Sequence, residues 1–206
     1  MEKKKPFLIF KDFVSPLACE QIITDLKIHN TYPIIGQDGS PRKSIFHNNL
    51  NTTRIMNRFD DVVSKMEENF DTSYLGTHQL MFEWYPTQYK KVETVCDAYH
   101  YKKSDGWKKA NLLDFTAILW LNEFNDSSDF DPYYEVYGGN LNFPNFDINF
   151  KPSRGTLLLF PSTPNFVYNV GNISYGSLTQ VHFQIRTATG FTFNKDEYDM
   201  NPKNWD

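Results

Sequence analysis

Apolar and polar positions along this chain follow two rhythms, helical in the first third and strand-like after it. Phe7-Leu-Ile-Phe-Lys-Asp-Phe-Val14 predicts a short strand, and Ser15-Pro16 then supplies an N-cap followed by proline at the first helical position. Cys19, Ile22, Ile23 and Leu26 recur at helical spacing and predict a helix over roughly 16–28. Residues 30–52, rich in Asn, Gly, Pro and Ser and including Asp38-Gly39-Ser40-Pro41, predict a long loop. Phe59, Val62, Val63, Met66 and Phe70 predict a second helix over roughly 58–70. From about residue 79 the runs become short and rich in aromatic or branched residues. They are Gln79–Tyr85, Phe115–Leu121, Thr156–Phe160, Asn165–Asn169 and Leu178–Ile185, with turn signals such as Gly138-Gly139, Pro152, Pro161, Pro164, Gly171 and Gly176 between them. Helices first and many strands afterwards predict a mostly β fold with flanking helices. No internal repeat or linker interrupts it. The expected organisation is one domain over 1–206, with a helical part at 1–75 packed on a β core at 79–193 and a polar tail at 194–206.

Composition narrows the function. The 206 residues carry 21 Lys plus Arg against 25 Asp plus Glu, a net charge of -4, which excludes a broad electrostatic grip on nucleic acid. At 40% apolar and 17% aromatic, the chain can build one substantial core. Its two cysteines, Cys19 and Cys96, make neither a disulfide framework nor a four-thiolate zinc site, so a reducing compartment is expected. The basic start Met1–Lys5 resembles the head of a signal peptide, but the apolar run Phe7–Phe10 ends at Lys11-Asp12. No stretch approaches the roughly 20 apolar residues of a membrane helix. The expectation is a soluble, cytoplasmic protein without a membrane or nucleic-acid partner.

Neither usual phosphate-cradling glycine loop is present, nor a Gly-x-Ser-x-Gly elbow. Asp126, Asp129 and Asp131 cluster without the glycine and terminal glutamate of a calcium loop, so a solvated acidic loop is expected. Lys102-Lys103 with Trp107-Lys108-Lys109 is likewise read as a solvated loop that could touch an anion. Trp205, in a polar tail, suggests docking either on the body or on a partner. The histidines are His29, His47, His78, His100 and His182. A mononuclear iron site takes two imidazoles and a carboxylate, most economically with His-x-Asp on one strand, where alternation points both side chains the same way. None of the five has an acid two residues on; those positions hold Thr31, Asn49, Leu80, Lys102 and Gln184.

Two regions nevertheless resemble the Fe(II)/2-oxoglutarate-dependent dioxygenases of the prolyl 4-hydroxylase type, especially versions encoded by tailed bacteriophages. One is Phe7 to Ile23. The other is the ordered series Asp114-Phe-Thr-Ala-Ile-Leu-Trp-Leu-Asn122, Tyr134-Glu-Val-Tyr-Gly-Gly-Asn-Leu-Asn-Phe-Pro144, Pro152-Ser-Arg-Gly-Thr-Leu-Leu-Leu-Phe-Pro-Ser162 and Gly176-Ser-Leu-Thr-Gln-Val-His-Phe-Gln-Ile185. The resemblance implies a double-stranded β-helix, a jelly roll of two facing sheets with two N-terminal helices and the metal at one mouth. It also implies iron and 2-oxoglutarate where the ligands survive.

With Cys96-Asp97-Ala98 as the ligand segment, the His-x-Asp position reads Val95-Cys96-Asp97, so valine replaces the imidazole; a shifted register reads His100-Tyr101-Lys102 and loses the carboxylate. The distal imidazole falls on Asn165. His182 takes the place of the basic residue that pairs with 2-oxoglutarate, and it is too short to form an arginine fork. The vestigial positions are therefore Val95, Asp97, Asn165 and His182, with no metal or cofactor expected. Two function classes follow. The first is a degenerate dioxygenase serving as a binding or structural module, with a protein partner or its own copies, in the cytoplasm or on a virion. The second is an active dioxygenase with iron held atypically by Asp97, His100 and His182 and with 2-oxoglutarate bound.

Overall fold

A computed structural model describes residues 3–28, 42–45, 50–77, 80–90, 94–127 and 129–205. In chain order its elements are β1 (Leu8–Phe10), α1 (Pro16–Ile28), β2 (Arg42–Ile45), α2 (Leu50–Phe70), β3 (Tyr74–Thr77), β4 (Met81–Tyr85), β5 (Tyr99–Lys102), β6 (Gly106–Lys109), β7 (Phe115–Trp120), β8 (Glu123–Phe124), β9 (Glu135–Gly138), β10 (Leu141–Phe143), β11 (Ile148–Phe150), β12 (Leu157–Pro161), β13 (Asn169–Val170), β14 (Ile173–Gly176) and β15 (Leu178–Thr187). The main sheet is antiparallel in the order β1-β12-β7-β15-β4-β2. β15 is long enough to pair β4 with its first half and β3 with its end.

The central strands β7 and β12 are apolar at almost every position and buried along their whole length, as strands covered on both faces must be. Alternation sorts their side chains. Phe115, Ala117, Leu119, Leu157, Leu159, Val181, Phe183 and Ile185 face the helices and pack with Ile22, Ile23, Leu26, Phe59, Val62 and Met66. Phe59 stacks on Phe183 with ring centroids 4.7 Å apart. On the other face Ile118, Trp120, Leu158, Phe160 and Leu178 meet Val136, Leu141, Phe143, Val170 and Ile173 from two three-stranded sheets, β11-β10-β13 and β14-β9-β8.

The jelly roll is not formed. Among the described residues no sheet closes on itself: the main sheet ends at β1 and β2, the strands facing it fall into two separate small sheets, and β5–β6 stands alone as a hairpin. The result is a mixed α/β fold of several open sheets and two helices. The facing strands are two to four residues long, interrupted by Gly138-Gly139, Pro144 and Pro164, and so cannot carry one continuous ladder.

Four local expectations change. The second helix begins at Leu50, eight residues early, because Ile55 extends the buried stripe through the polar run Asn51–Asn57. Of the expected loop 30–52, residues 30–41 and 46–49 lie outside the described residues, and 42–45 form β2, paired to β4. The expected strand 165–169 is instead a 3-10 turn, Pro164–Phe166, followed by β13, since proline sets the turn's φ. The tail folds through two 3-10 turns, and Trp205 is buried on the body, donating from Nε1 to the Asp199 carbonyl at 2.7 Å. Among the described residues no helix is long and apolar enough to cross a membrane.

One turn sets how α1 meets the sheet. Gly155, at φ +80°, receives the Val14 amide on its carbonyl, and a Cβ there would lie 2.0 Å from the Val14 oxygen. Gly155→Ala is expected to lower stability by at least ~1–2 kcal/mol from the left-handed backbone alone, more with the clash, read from the urea midpoint.

Candidate functional site

A cavity of about 880 Å³ opens where β4 and β15 meet segment 94–98, β13 and the β5–β6 hairpin. Its deep end is built by register. Gln180 lies directly across from Glu83 and Leu178 across from Tyr85, so period-two alternation gathers Glu83, Tyr85, Gln180 and His182 on one face. Glu83 is 3% exposed and His182 2%. The Tyr85 hydroxyl donates to Glu83 Oε2 at 2.6 Å, and His182 Nε2 lies 3.2 Å from that oxygen and 3.3 Å from Gln180 Oε1.

The side wall centres on Asp97. Val95 and Tyr168 exchange two backbone hydrogen bonds at 2.8 and 2.9 Å, which makes them cross-strand partners. Tyr168 reaches along this face to donate to Asp97, 3.0 Å from Oδ2 and 3.2 Å from Oδ1. Thr116 Oγ1 donates to Oδ2 at 2.6 Å. A threonine hydroxyl has one proton, so Ser162 Oγ, 2.6 Å from Thr116 Oγ1, is the donor in the next bond of the relay. The hairpin forms the mouth. Its end is pinned by Lys109 Nζ to the buried Asp114 at 3.1 Å and by the Ala110 amide to the Ala98 carbonyl at 2.8 Å.

Burial, then the Glu83 carboxylate, then Tyr89 and Asp97 hold the Tyr85 phenol well above its ordinary value of 10.0; burial, then Asp97, Glu83 and Tyr85 do the same to Tyr168. Burial pushes the Cys96 thiol up to about 11, which keeps it a neutral, poor nucleophile near neutral pH. Because folding raises these tyrosine values, their stabilising contribution is whole below about pH 10 and is lost as pH climbs through the folded values. Tyrosinate absorbance is therefore expected to show Tyr85 and Tyr168, with Tyr198, which burial also raises, ionising later than the exposed members of the twelve tyrosines and only with alkaline unfolding.

The positions read from sequence separate. Val95 and Asp97 line the cavity, Val95 at the mouth and 45% exposed. His182 lies beneath it, bonded to Glu83. Asn165 is exposed on the 3-10 turn, where its carbonyl accepts from Asn145 Nδ2 at 3.1 Å, and Tyr168 stands across from Val95 instead. His100 is exposed on β5, opposite Lys108, and lines the mouth. His29, His47 and His78 lie outside the described residues. Glu83, Tyr85, Thr116 and Tyr168 escape the sequence reading. The available signal was an acid inside the apolar run Met81-Phe-Glu-Trp-Tyr85, since a carboxylate that enters a sheet interior needs partners there.

These residues do not fit an iron ion. The Val95–Asp97–Tyr168 cluster offers one carboxylate, already bonded to two hydroxyls, and no imidazole. His182 is spent on Glu83, and among the described residues no three of His, Cys, Asp and Glu are grouped to hold a metal. Nor do they fit 2-oxoglutarate, because a dianion in this cavity would face the Asp97 carboxylate, whose side-chain partners among the described residues are neutral hydroxyls.

No protein-family model matches the chain, and no curated protein matches it by sequence. Solved structures do. The viral collagen prolyl hydroxylase of Paramecium bursaria Chlorella virus-1, in its 2-oxoglutarate complex, is 13% identical, with TM-score 0.66 over 88% of this chain and 96% of that one. A prolyl-4-hydroxylase from Pseudomonas putida is 14% identical, with TM-score 0.63 over 88% and 92%. A prolyl hydroxylase from Trichoplax adhaerens, solved with a hypoxia inducible factor peptide fragment, is 13% identical, with TM-score 0.65 over 88% and 84%. The likeness is one of chain path and does not restore a closed jelly roll. At this identity it establishes that the chain shares its fold, at a distance, with the prolyl 4-hydroxylase-like Fe(II)/2-oxoglutarate dioxygenases, viral ones among them.

Proposed function

We propose that this protein is a dioxygenase-fold module that has given up iron chemistry and retains the cavity for binding. The observation that carries the reading is the hydroxyl pair on Asp97. Where the ligand segment passes Tyr168, the carboxylate accepts from Thr116 and Tyr168, and Val95 supplies no nitrogen. Hydroxyl donors hold the carboxylate in place without a metal ion, so the wall does not call for iron. The Asp97 carboxylate supports the same reading in a second way, because it disfavours the dianionic co-substrate that oxygen activation in this superfamily would require.

The test is an anaerobic titration of the metal-free protein with Fe(II) and 2-oxoglutarate, followed by visible absorption. No charge-transfer band is expected at any ratio. A band that grows and saturates at one equivalent would overturn the reading and return attention to Asp97, His100 and His182.

A further inference from the structure

We infer that the cavity takes an organic cation, an alkylammonium group of the kind a lysine side chain carries, seated head inward between Asp97 and the rings of Tyr85, Tyr89 and Tyr168; this rests on the binding-module reading above. The polarity of the cavity is the first support. Its buried lining holds Glu83, Tyr85, Tyr89 and Tyr168, whereas the positive or titratable side chains His100 and Lys103 are exposed on the hairpin at the mouth.

The second support is Asp97 itself. The hydrogen-bond partners of its carboxylate among the described residues are neutral hydroxyls, and none of the ion pairs there involves it. A carboxylate has about four acceptor sites, so capacity remains on Oδ1 after Thr116 and Tyr168 are served. Tyr85, bonded to Glu83, and Tyr168, bonded to Asp97, line the same cavity, which places the two acids in one neighbourhood.

The third is the wall. Tyr85, Tyr89 and Tyr168 line the deep part, and Tyr99, Tyr101 and Trp107 line the hairpin side, Tyr101 and Trp107 with centroids 5.4 Å apart. Aromatic faces attract cations through the ring quadrupole, and more strongly where water is excluded. A cavity of about 880 Å³ suits a ligand of side-chain size or larger. A neutral ligand could use the rings and donate a hydrogen bond to Asp97, but it would leave that carboxylate's charge unpaired.

The experiment titrates the full chain calorimetrically with three probes: n-butylammonium, Nα-acetyl-lysine N-methylamide and its uncharged isostere Nα-acetyl-norleucine N-methylamide. Saturable binding of an ammonium probe is expected, at least roughly tenfold tighter than the norleucine probe. Equal binding of both ammonium probes would support a free amine as the source, and binding of the lysine amide alone would support a polypeptide side chain. Asp97→Asn is expected to weaken binding roughly tenfold or more. Val95→Lys, at an exposed position that leaves the core intact, places a tethered ammonium at the mouth and should weaken it comparably.

Norleucine binding as tight as lysine, undiminished affinity in Val95→Lys, or no saturable binding of either ammonium probe would each overturn the inference. Such a failure, with no iron–2-oxoglutarate band, leaves the binding-module reading standing; an iron band would remove the reading beneath it.

Discussion

Replacing Phe7 with alanine is expected to destabilise the protein by about 3–5 kcal/mol and to loosen the C-terminal turn with it. Phe7 has no exposed surface and is the hub of the aromatic cluster on the face of the main sheet away from the helices. Its ring lies 4.8 Å from Phe143, 5.3 Å from Phe146 and Phe166, and 4.9 Å from Trp205. Those neighbours come from β10, the turn after it, the Pro164–Phe166 turn and the chain's end. Truncation therefore opens a cavity among elements that share no continuous ladder and cannot collapse on it together. Urea unfolding measures the cost, and Trp205 accessibility to a fluorescence quencher measures the release. A cost under about 1 kcal/mol would show that the cluster closes over the gap.

Glu83→Ala should cost about as much, ~3–5 kcal/mol, for a different reason. Glu83 accepts from the Tyr85 hydroxyl and lies against His182 in a place where neither finds water. Removing it leaves buried polar atoms beside a new void. Glu83→Gln keeps an acceptor for Tyr85 and fills the same volume, so it should cost clearly less. Equal costs for the two variants in urea unfolding would mean that the carboxylate's charge, rather than hydrogen-bond acceptance or volume, holds the deep end together.

Cys19, Ile22, Ile23 and Leu26 recur at helical spacing, and the helix forms at Pro16–Ile28, because one apolar stripe has one way to bury itself. Asp97 lies in the segment that the resemblance marks, and the structure places it in the cavity wall. The residue that stands across from Val95 was harder to foresee. Counting along the chain points to Asn165, whereas pairing across the sheet puts Tyr168 opposite Val95, since Pro164 turns the chain before β13 begins. Lys102, Lys103 and Trp107 read as a solvated loop, yet their segments pair as a hairpin whose aromatic residues wall the cavity. No local pattern in the sequence announces that placement.

By itself, the order of apolar periods determined two helices ahead of a strand-rich region, and the residue types showed that no histidine is followed two residues on by an acid. These properties are local or compositional, so they survive without knowing who neighbours whom. Only the tertiary structure decided that the sheets stay open, that Trp205 closes on the body, and that Glu83 and Asp97 share one aromatic cavity. Each of these depends on register between strands far apart in the chain, and a shift of one residue would turn Glu83, His182 or Tyr168 to the opposite face.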